Sequence, residues 1–485
     1  MKSKRHKKSG HPMTGTHNIA GKLVTLIQLV VSVICIVLIW NSGLAPVKYM
    51  VPFIIVLLVL FAATHALQYP RNKVVRYVGM IISLLMTIVL AVGSVALMKT
   101  DDVLQKIGGA TYKTDNMVVV VKKDDKVENI SDAQNYRFGY QTVVDQDNTE
   151  KMVKDVTNVI GRDLKAETYE SLTDEANALL NGNIDAAIFN EGYMSIIDDS
   201  IEGFSDQVKI LYQYGIKTEI KQEKQASVEE PFNVFISGID VDGPITTNSR
   251  SDVNIIMTVN PQTRKILLST TPRDYYVTIP DISGEKRDKL THAGIYGVDA
   301  SMATLENLYG INIDYYARVN FTSLVKIVDA LGGVDVNSDY EFTTLHGNYH
   351  IQKGMNHMDG DMALGFARER YSFEDGDNQR GKDQEIVLTA IIKKACSPAI
   401  LKNANELVAG VSDSVQTNMT SEEISKFINQ QIADPTEWNV ESQAVSGRGD
   451  TQSCYSSGSQ LLYVMWPDDT AVQNAAVKIK QVEAN

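Results

Sequence analysis

Three apolar stretches, at roughly 23–40, 49–67 and 74–98, dominate the start of the chain, and none contains Asp or Glu. Each is close to the ~20 residues that a helix needs to cross a bilayer. A cleaved signal peptide would not be followed by two further segments of this kind. Basic residues decide the orientation. Lys2, Lys4, Arg5, Lys7 and Lys8 precede the first span, Arg71, Lys73 and Arg76 lie between the second and third, and only Lys48 lies between the first two. The positive-inside rule therefore places the N-terminus and the second connection in the cytoplasm, and everything after residue 100 outside.

Beyond the spans the pattern alternates between short β-branched runs and helical periodicity. MVVVVKK and YRFGYQTVV read as strands. EKMVKDVTNVIG carries Met152, Val153, Val156, Val159 and Ile160 at helical spacing, and TDEANALLNGNIDAAIFNEGYMSII reads as a helix followed by a strand ending near Asn190. Residues 107–216 thus form a small α/β domain, and the polar stretch 217–231 reads as a linker. From Phe232 the runs become apolar enough for central strands: NVFISGID, DVNIIMTVN, RKILLSTTPRD and YYARVN. Helical patterns occupy 298–309 and 321–331. Residues 397–485 read as two helices, the strand-like WNVESQAV and LYVMWP, and a last structural helix. The expectation is α/β (α+β) extracellular domains after three transmembrane helices. The main domain, 232–485, is predicted to hold a mixed central sheet with helices on both faces.

Charge divides the same way. The formal net charge of −13 hides twelve Lys/Arg against two acids in residues 1–106, which leaves 34 basic and 57 acidic residues beyond. A part that acidic is a poor partner for nucleic acid, whose binding rests on neutralising phosphates. Of the three cysteines, Cys35 lies in an apolar stretch. Cys396 and Cys454 could pair outside the cell or remain free thiols.

Against this acidic background FARERYSFEDGDNQRGKDQEIVL, residues 366–388, holds three arginines and few lysines. In an extended segment Arg368 and Arg370 point to one side. Arg380 and Gln384 share a face if Asp377 opens a helix. Arginine presents a planar donor fork suited to phosphate; the bland alternative is salt bridges to Glu369 and Asp375. Asp240 at the end of one strand and Asp252 at the start of the next fit a Mg²⁺ site, which takes one or two carboxylates plus phosphate oxygens. Both could instead cap turns. Val253, Ile255, Met257, Leu324, Ile327, Val328 and Leu331 could line an apolar groove, although such spacing is more often plain core. His292, His346, His350 and His357 show no metal-ligand spacing, and RGD at 448–450 reads as a chance tripeptide.

GID at 238–240, RSDVNIIMTVNP at 250–261, STTPRDYYV at 269–277, KLTHAGIYG at 289–297, YYARVNFTSLVKIVDALGGVDV at 315–336 and the arginine stretch occur in order. In these elements the chain resembles the LytR-CpsA-Psr family of Gram-positive cell-envelope proteins, most closely its capsule-locus members. The resemblance implies a cell-membrane transferase that moves a capsular or other anionic glycopolymer from a polyprenyl-pyrophosphate carrier to peptidoglycan, with Mg²⁺ (or Mn²⁺), at the outer membrane face. It implies metal ligation by Asp240 and Asp252, and pyrophosphate contacts from Arg250, Arg273, Arg368, Arg370, Arg380 and Gln384. Arg273, Arg368, Arg370 and Asp377 are the implied catalytic residues, with Asp377 or Asp252 as general base. The family motif ends in Arg, two residues, then Arg-Gln; here Asp383 stands at the second Arg position, leaving Lys382 beside it to compensate. The implied division is a basic cytoplasmic tail (1–22), three spans (23–98), the accessory domain, the linker and the catalytic domain. The accessory stretch NISDAQNYRFGYQ to ALLNGNIDAAIFNEGY is similar to half a lobe of an extracellular solute-binding protein, with a docking or spacer role as the other reading. Competing functions are hydrolysis of the lipid pyrophosphate, or a membrane-anchored sensor or regulator of envelope polysaccharide synthesis.

Overall fold

The computed structural model describes residues 19–42, 47–107, 112–219, 227–239, 245, 247–373, 376–395, 397, 415–434 and 436–484. The first compact unit holds α1 (Ile19–Ser42), α2 (Val47–Ala66) and, as far as residue 101, α3 (Lys73–Ile107). All three are long and apolar enough to cross a membrane. Cys35, Leu57 and Leu90 form a buried seam among them, and Thr64 Oγ1 donates to Gln28 Oε1 at 2.9 Å. Helix α3 outruns its apolar stretch by nine residues. No Gly or Pro interrupts the chain there until Gly108, so the helix propagates through KTDDVLQKI.

The second unit comprises 102–427 and 434–485. Among the described residues it contains a five-stranded and a six-stranded sheet, with four two-stranded ones. The accessory sheet is built from β1 (Tyr112–Lys122), β2 (Arg137–Gln141), β3 (Lys165–Tyr169), β4 (Ala186–Asn190) and β5 (Val208–Glu219), in the order β3-β2-β4-β1-β5. Parallel pairing joins β2 to β3 and to β4, and β1 runs antiparallel to both β4 and β5. Helices α4 (Gln146–Ile160), α5 (Leu172–Asn181) and α6 (Met194–Ser200) cover it. The alternation in β1 sends Met117, Val119 and Val121 to one core and Val118 and Val120 to the other. Strand β5, whose residues are mostly half-exposed or exposed, gave no clear apolar signal in the sequence. Its pairing with β1 over eleven positions makes it a strand.

In the main sheet β6 (Phe232–Ile239), β7 (Ser251–Asn260) and β8 (Lys265–Thr270) are antiparallel neighbours. Strands β9 (Tyr315–Asn320) and β11 (Asn439–Ala444) flank them in parallel with β6 and β8, and β10 (Val415–Thr417) closes the β9 edge antiparallel. Phe235, Ile256 and Leu267 face helices α7 (Leu290–Tyr296), α8 (Val298–Tyr309) and the C-terminal α13 (Asp469–Ala484). Val234, Ile236, Ile255 and Leu268 face the opposite way, toward α11 (Gly376–Ala395) and α12 (Ser421–Ala433). On that second side α9 (Phe321–Ala330) and α10 (Gly360–Arg368) share a further core with α11. The sheet is therefore mixed and covered on both faces, as its apolar strand runs predicted. The strand-like LYVMWP is β13 (Leu461–Pro467), and it pairs in a hairpin with a strand the sequence reading missed, β12 (Gly447–Ser453), which carries the RGD tripeptide; Asp450 accepts a bond from Trp466 Nε1.

Candidate functional site

Asp252 is the second residue of β7. Arg273 lies in the TTPRD turn that follows β8, and Thr291 in the first turn of α7. The three meet where the strands end. Arg273 Nη1 lies 3.1 Å from Asp252 Oδ1, and Thr291 Oγ1 donates to the same oxygen at 3.0 Å. Burial opposes ionisation of Asp252, but the guanidiniums of Arg273, Arg250 and Arg380 outweigh it and hold the carboxyl below the usual range. Arg273 Nε is 3.7 Å from Asp274 Oδ2, and Lys289 Nζ is 2.5 Å from Asp274 Oδ1, so a second carboxylate anchors the turn. Arg380 and Gln384, one turn apart on α11, line the same pocket with Asn254, Thr270 and Thr271. It encloses about 520 Å³ counting its open mouth.

A second cavity, about 600 Å³ counting its open mouth, lies beside it, lined by Ile236, Val253, Ile255, Leu324, Val387 and Ile391 among others. Alternation along β7 sends Asp252 and Asn254 to the polar pocket and Val253 and Ile255 to the apolar one. Gln384 lines both, and Arg368 lines the apolar one. Of the groove residues named from the sequence, Val253, Ile255 and Leu324 lie there. Met257, Ile327, Val328 and Leu331 pack in the hydrophobic cores.

Arg368 is the last residue of α10, so the Arg368–Arg370 pair does not form the extended segment expected. Glu369 turns inward, 2% exposed, and accepts backbone N–H bonds from Leu345, Arg370, Tyr371 and Ser372 rather than pairing with the arginines. Arg370 Nη2 donates to Tyr371 Oη at 2.8 Å, and Arg370 lines neither cavity. Arg250 pairs with Asp199 at 3.1 Å. Asp377 falls in the first turn of α11, but its side chain, with Asp240, Asp375 and Cys396, lies outside the described residues. Lys382 is exposed and lines neither cavity. Asp383, 2% exposed, accepts from Gln379 Nε2 at 2.9 Å, and burial pushes its pKa up to about 7. Cys454 is a buried free thiol. Neutral polar partners escaped the sequence reading: Asn254, Thr270 and Thr291 carry no charge signal, although Thr291 sits in the KLTHAGIYG element.

Among the described residues no group of three or more His, Cys, Asp or Glu side chains could hold a metal ion. Mg²⁺ asks for less. The Asp252 carboxyl is held below its usual range, and one buried pocket oxygen, Asn254 Oδ1, has no hydrogen-bond partner among the described residues. Such a donor set, all hard oxygen, fits Mg²⁺.

A mixed α/β domain with a guanidinium-carboxylate pocket opening beside an apolar groove has the chemistry of a site for an amphipathic anion. The chain belongs to the LytR_cpsA_psr family, which matches residues 200–472, more than half its length. It is 37% identical over 204 residues to a polyisoprenyl-teichoic acid–peptidoglycan teichoic acid transferase TagU of Bacillus cereus, covering 42% of this chain and 65% of that protein. The TagU of Enterococcus faecalis is 34% identical over 210 residues, covering 43% and 68%. The crystal structure of B. subtilis TagU, 27% identical, covers 52% of this chain and 96% of that one with a TM-score of 0.41. A further match, to the DNA polymerase processivity factor family over 73–189, starts at α3 and ends inside β4, straddling the two compact units.

Proposed function

We propose that the outer domain transfers an anionic glycopolymer, capsular or teichoic, from a polyprenyl-pyrophosphate carrier to peptidoglycan at the external membrane face. The observation that carries this reading is the shared wall of the two cavities: Gln384 borders a polar pocket that holds the Arg273 and Arg380 guanidiniums, suited to a diphosphate, and an apolar groove suited to a polyprenyl tail. The TagU relatives support the same class of reaction, and three helices of spanning length would keep the domain at the carrier's membrane.

Arg273 and Arg380 would bind the diphosphate oxygens, with Arg368 at the groove and Arg250, which lines neither cavity, adding charge from beside Asp252. Asp252, with Asn254, would hold Mg²⁺, and Asp240 would be the second carboxylate ligand that the family resemblance implies. When bound, the ion would add charge neutralisation to that of the arginines. A peptidoglycan hydroxyl attacks the polymer-linked phosphorus, forming a P–O bond as the bridging P–O bond to polyprenyl phosphate breaks. The electron pair leaves with polyprenyl phosphate, and the hydroxyl proton passes to a base. Asp252 suits that task poorly, because a carboxyl held below its ordinary range accepts protons weakly at neutral pH. Asp377 remains the candidate base. Most of the rate then comes from positioning and from guanidiniums aimed at developing phosphoryl charge.

The test is transfer of polymer from lipid pyrophosphate to peptidoglycan by the full chain in nanodiscs. Arg273→Ala and Arg380→Ala should each lower transfer by about 10²–10³-fold while leaving the unfolding midpoint within a few degrees. Chelation should also suppress it, and added Mg²⁺ restore it. Release of polyprenyl phosphate without attached polymer would favour hydrolysis, and normal transfer by both variants would overturn the site.

A further inference from the structure

Three of the residues that lead into the phosphate site, Thr247, Asn248 and Arg250, are held by the accessory domain. Thr247 bridges to Thr114 of β1, and Asn248 N donates to Thr114 O at 3.0 Å. The buried Asn248 side chain donates through Nδ2 to Asp115 Oδ1 at 2.8 Å. Arg250 Nη1 then reaches Asp199 Oδ2 at 3.1 Å. From the main-sheet side, the buried Arg318 guanidinium donates to Thr247 O at 2.8 Å, so the segment is gripped from both directions.

Asp199 itself is well placed. It sits on α6, whose Ile196 and Ile197 are each 1% exposed in the accessory core. Ile295 of α7 joins that same core, and a Cβ added at Gly192 would stand 3.1 Å from Ile295 Cγ2. Lys113 of β1 makes another cross-contact, donating to Tyr296 O at 2.8 Å and pairing with Asp299 at 3.1 Å. The face of the accessory lobe around Gly192 is therefore filled by the main domain.

We propose that the accessory sheet is a positioning element of the phosphate site, and that Asp199 is a positioning residue for Arg250. This inference rests on the proposed function, in which Arg250 supplies charge to a lipid-borne diphosphate. One guanidinium nitrogen is engaged by Asp199, and the fixed fork geometry of arginine then orients its remaining donors. Arg250 also lies two residues from Asp252 along the chain, so a guanidinium held by Asp199 stands beside the residue that meets Arg273 and Thr291.

The experiment measures binding of farnesyl pyrophosphate to the full chain in nanodiscs, with unfolding midpoints recorded in parallel. Asp199→Asn should weaken binding about threefold to fivefold, the scale of a partly exposed ion pair. Asp199→Glu should return affinity to within about twofold of wild type by the same scale. Asp299→Asn, which cuts the Lys113 pair of the same interface away from Arg250, should leave affinity unchanged. Arg380→Ala should abolish it. Wild-type affinity in Asp199→Asn, with binding lost in Arg380→Ala, overturns the positioning role and leaves the proposed function standing. Equal weakening by Asp299→Asn overturns it too, because general loosening then explains the effect. Failure of the wild-type chain to bind the probe overturns both.

Discussion

Asp383→Asn is the most informative single change outside the phosphate pocket. Asp383 is 2% exposed and accepts a hydrogen bond from Gln379. Its Oδ2 has no partner among the described residues. Burial, with Asp339 and Glu369 nearby, lifts its pKa from 3.8 to about 7. The folded state thus keeps a proton that the unfolded chain gives up near pH 4. The associated stability is fully present below that pH and is lost as pH rises through about 7. A difference of ~3 units corresponds to about 4 kcal/mol at most, and relaxation around the ionised group brings the expected figure to about 2 kcal/mol. Asparagine keeps the acceptor for Gln379 and cannot ionise. Asp383→Asn should therefore match wild type near pH 4 and exceed it by about 2 kcal/mol at pH 8, several degrees in midpoint. Thermal unfolding of the full chain in detergent, followed by fluorescence of Trp438 and Trp466, reads the difference across pH. A variant whose stability tracks wild type at every pH, or falls below it at pH 8, would falsify the protonated-carboxyl account.

Two further outcomes are accessible in the same preparations. Val387→Trp in the apolar groove should weaken binding of a long-chain polyprenyl phosphate by about tenfold or more while leaving inorganic pyrophosphate affinity unchanged, since a bulky ring occupies volume needed by the tail. Equal loss for both ligands would show that the groove is ordinary core. Glu175, fully buried in the accessory core and bonded to the Ile188 N–H, has its pKa raised by burial. Glu175→Gln should raise the unfolding midpoint at pH 8 and leave it nearly unchanged at pH 5; a lower midpoint at both would indicate an ionised, satisfied carboxylate.

Periodicity and composition alone carried the three spans, the strand cores and the amphipathic helices, because such patterns follow from local geometry and from which solvent each face meets. The same local logic placed Arg380 and Gln384 on one helical face, and both line the polar pocket. Spacing misled where the backbone turned: Arg368 ends a helix instead of entering a strand, and Glu369 rotates into a cage of backbone N–H groups. Long-range partners had no local signature. Asp252 meets Arg273 across 21 positions and Thr291 across 39, and Arg250 meets Asp199 across 51. The sequence by itself determined which segments are apolar, which are charged and which period they follow. Only the tertiary structure decided which charges share a pocket, because that depends on strand order and crossover rather than on neighbours along the chain.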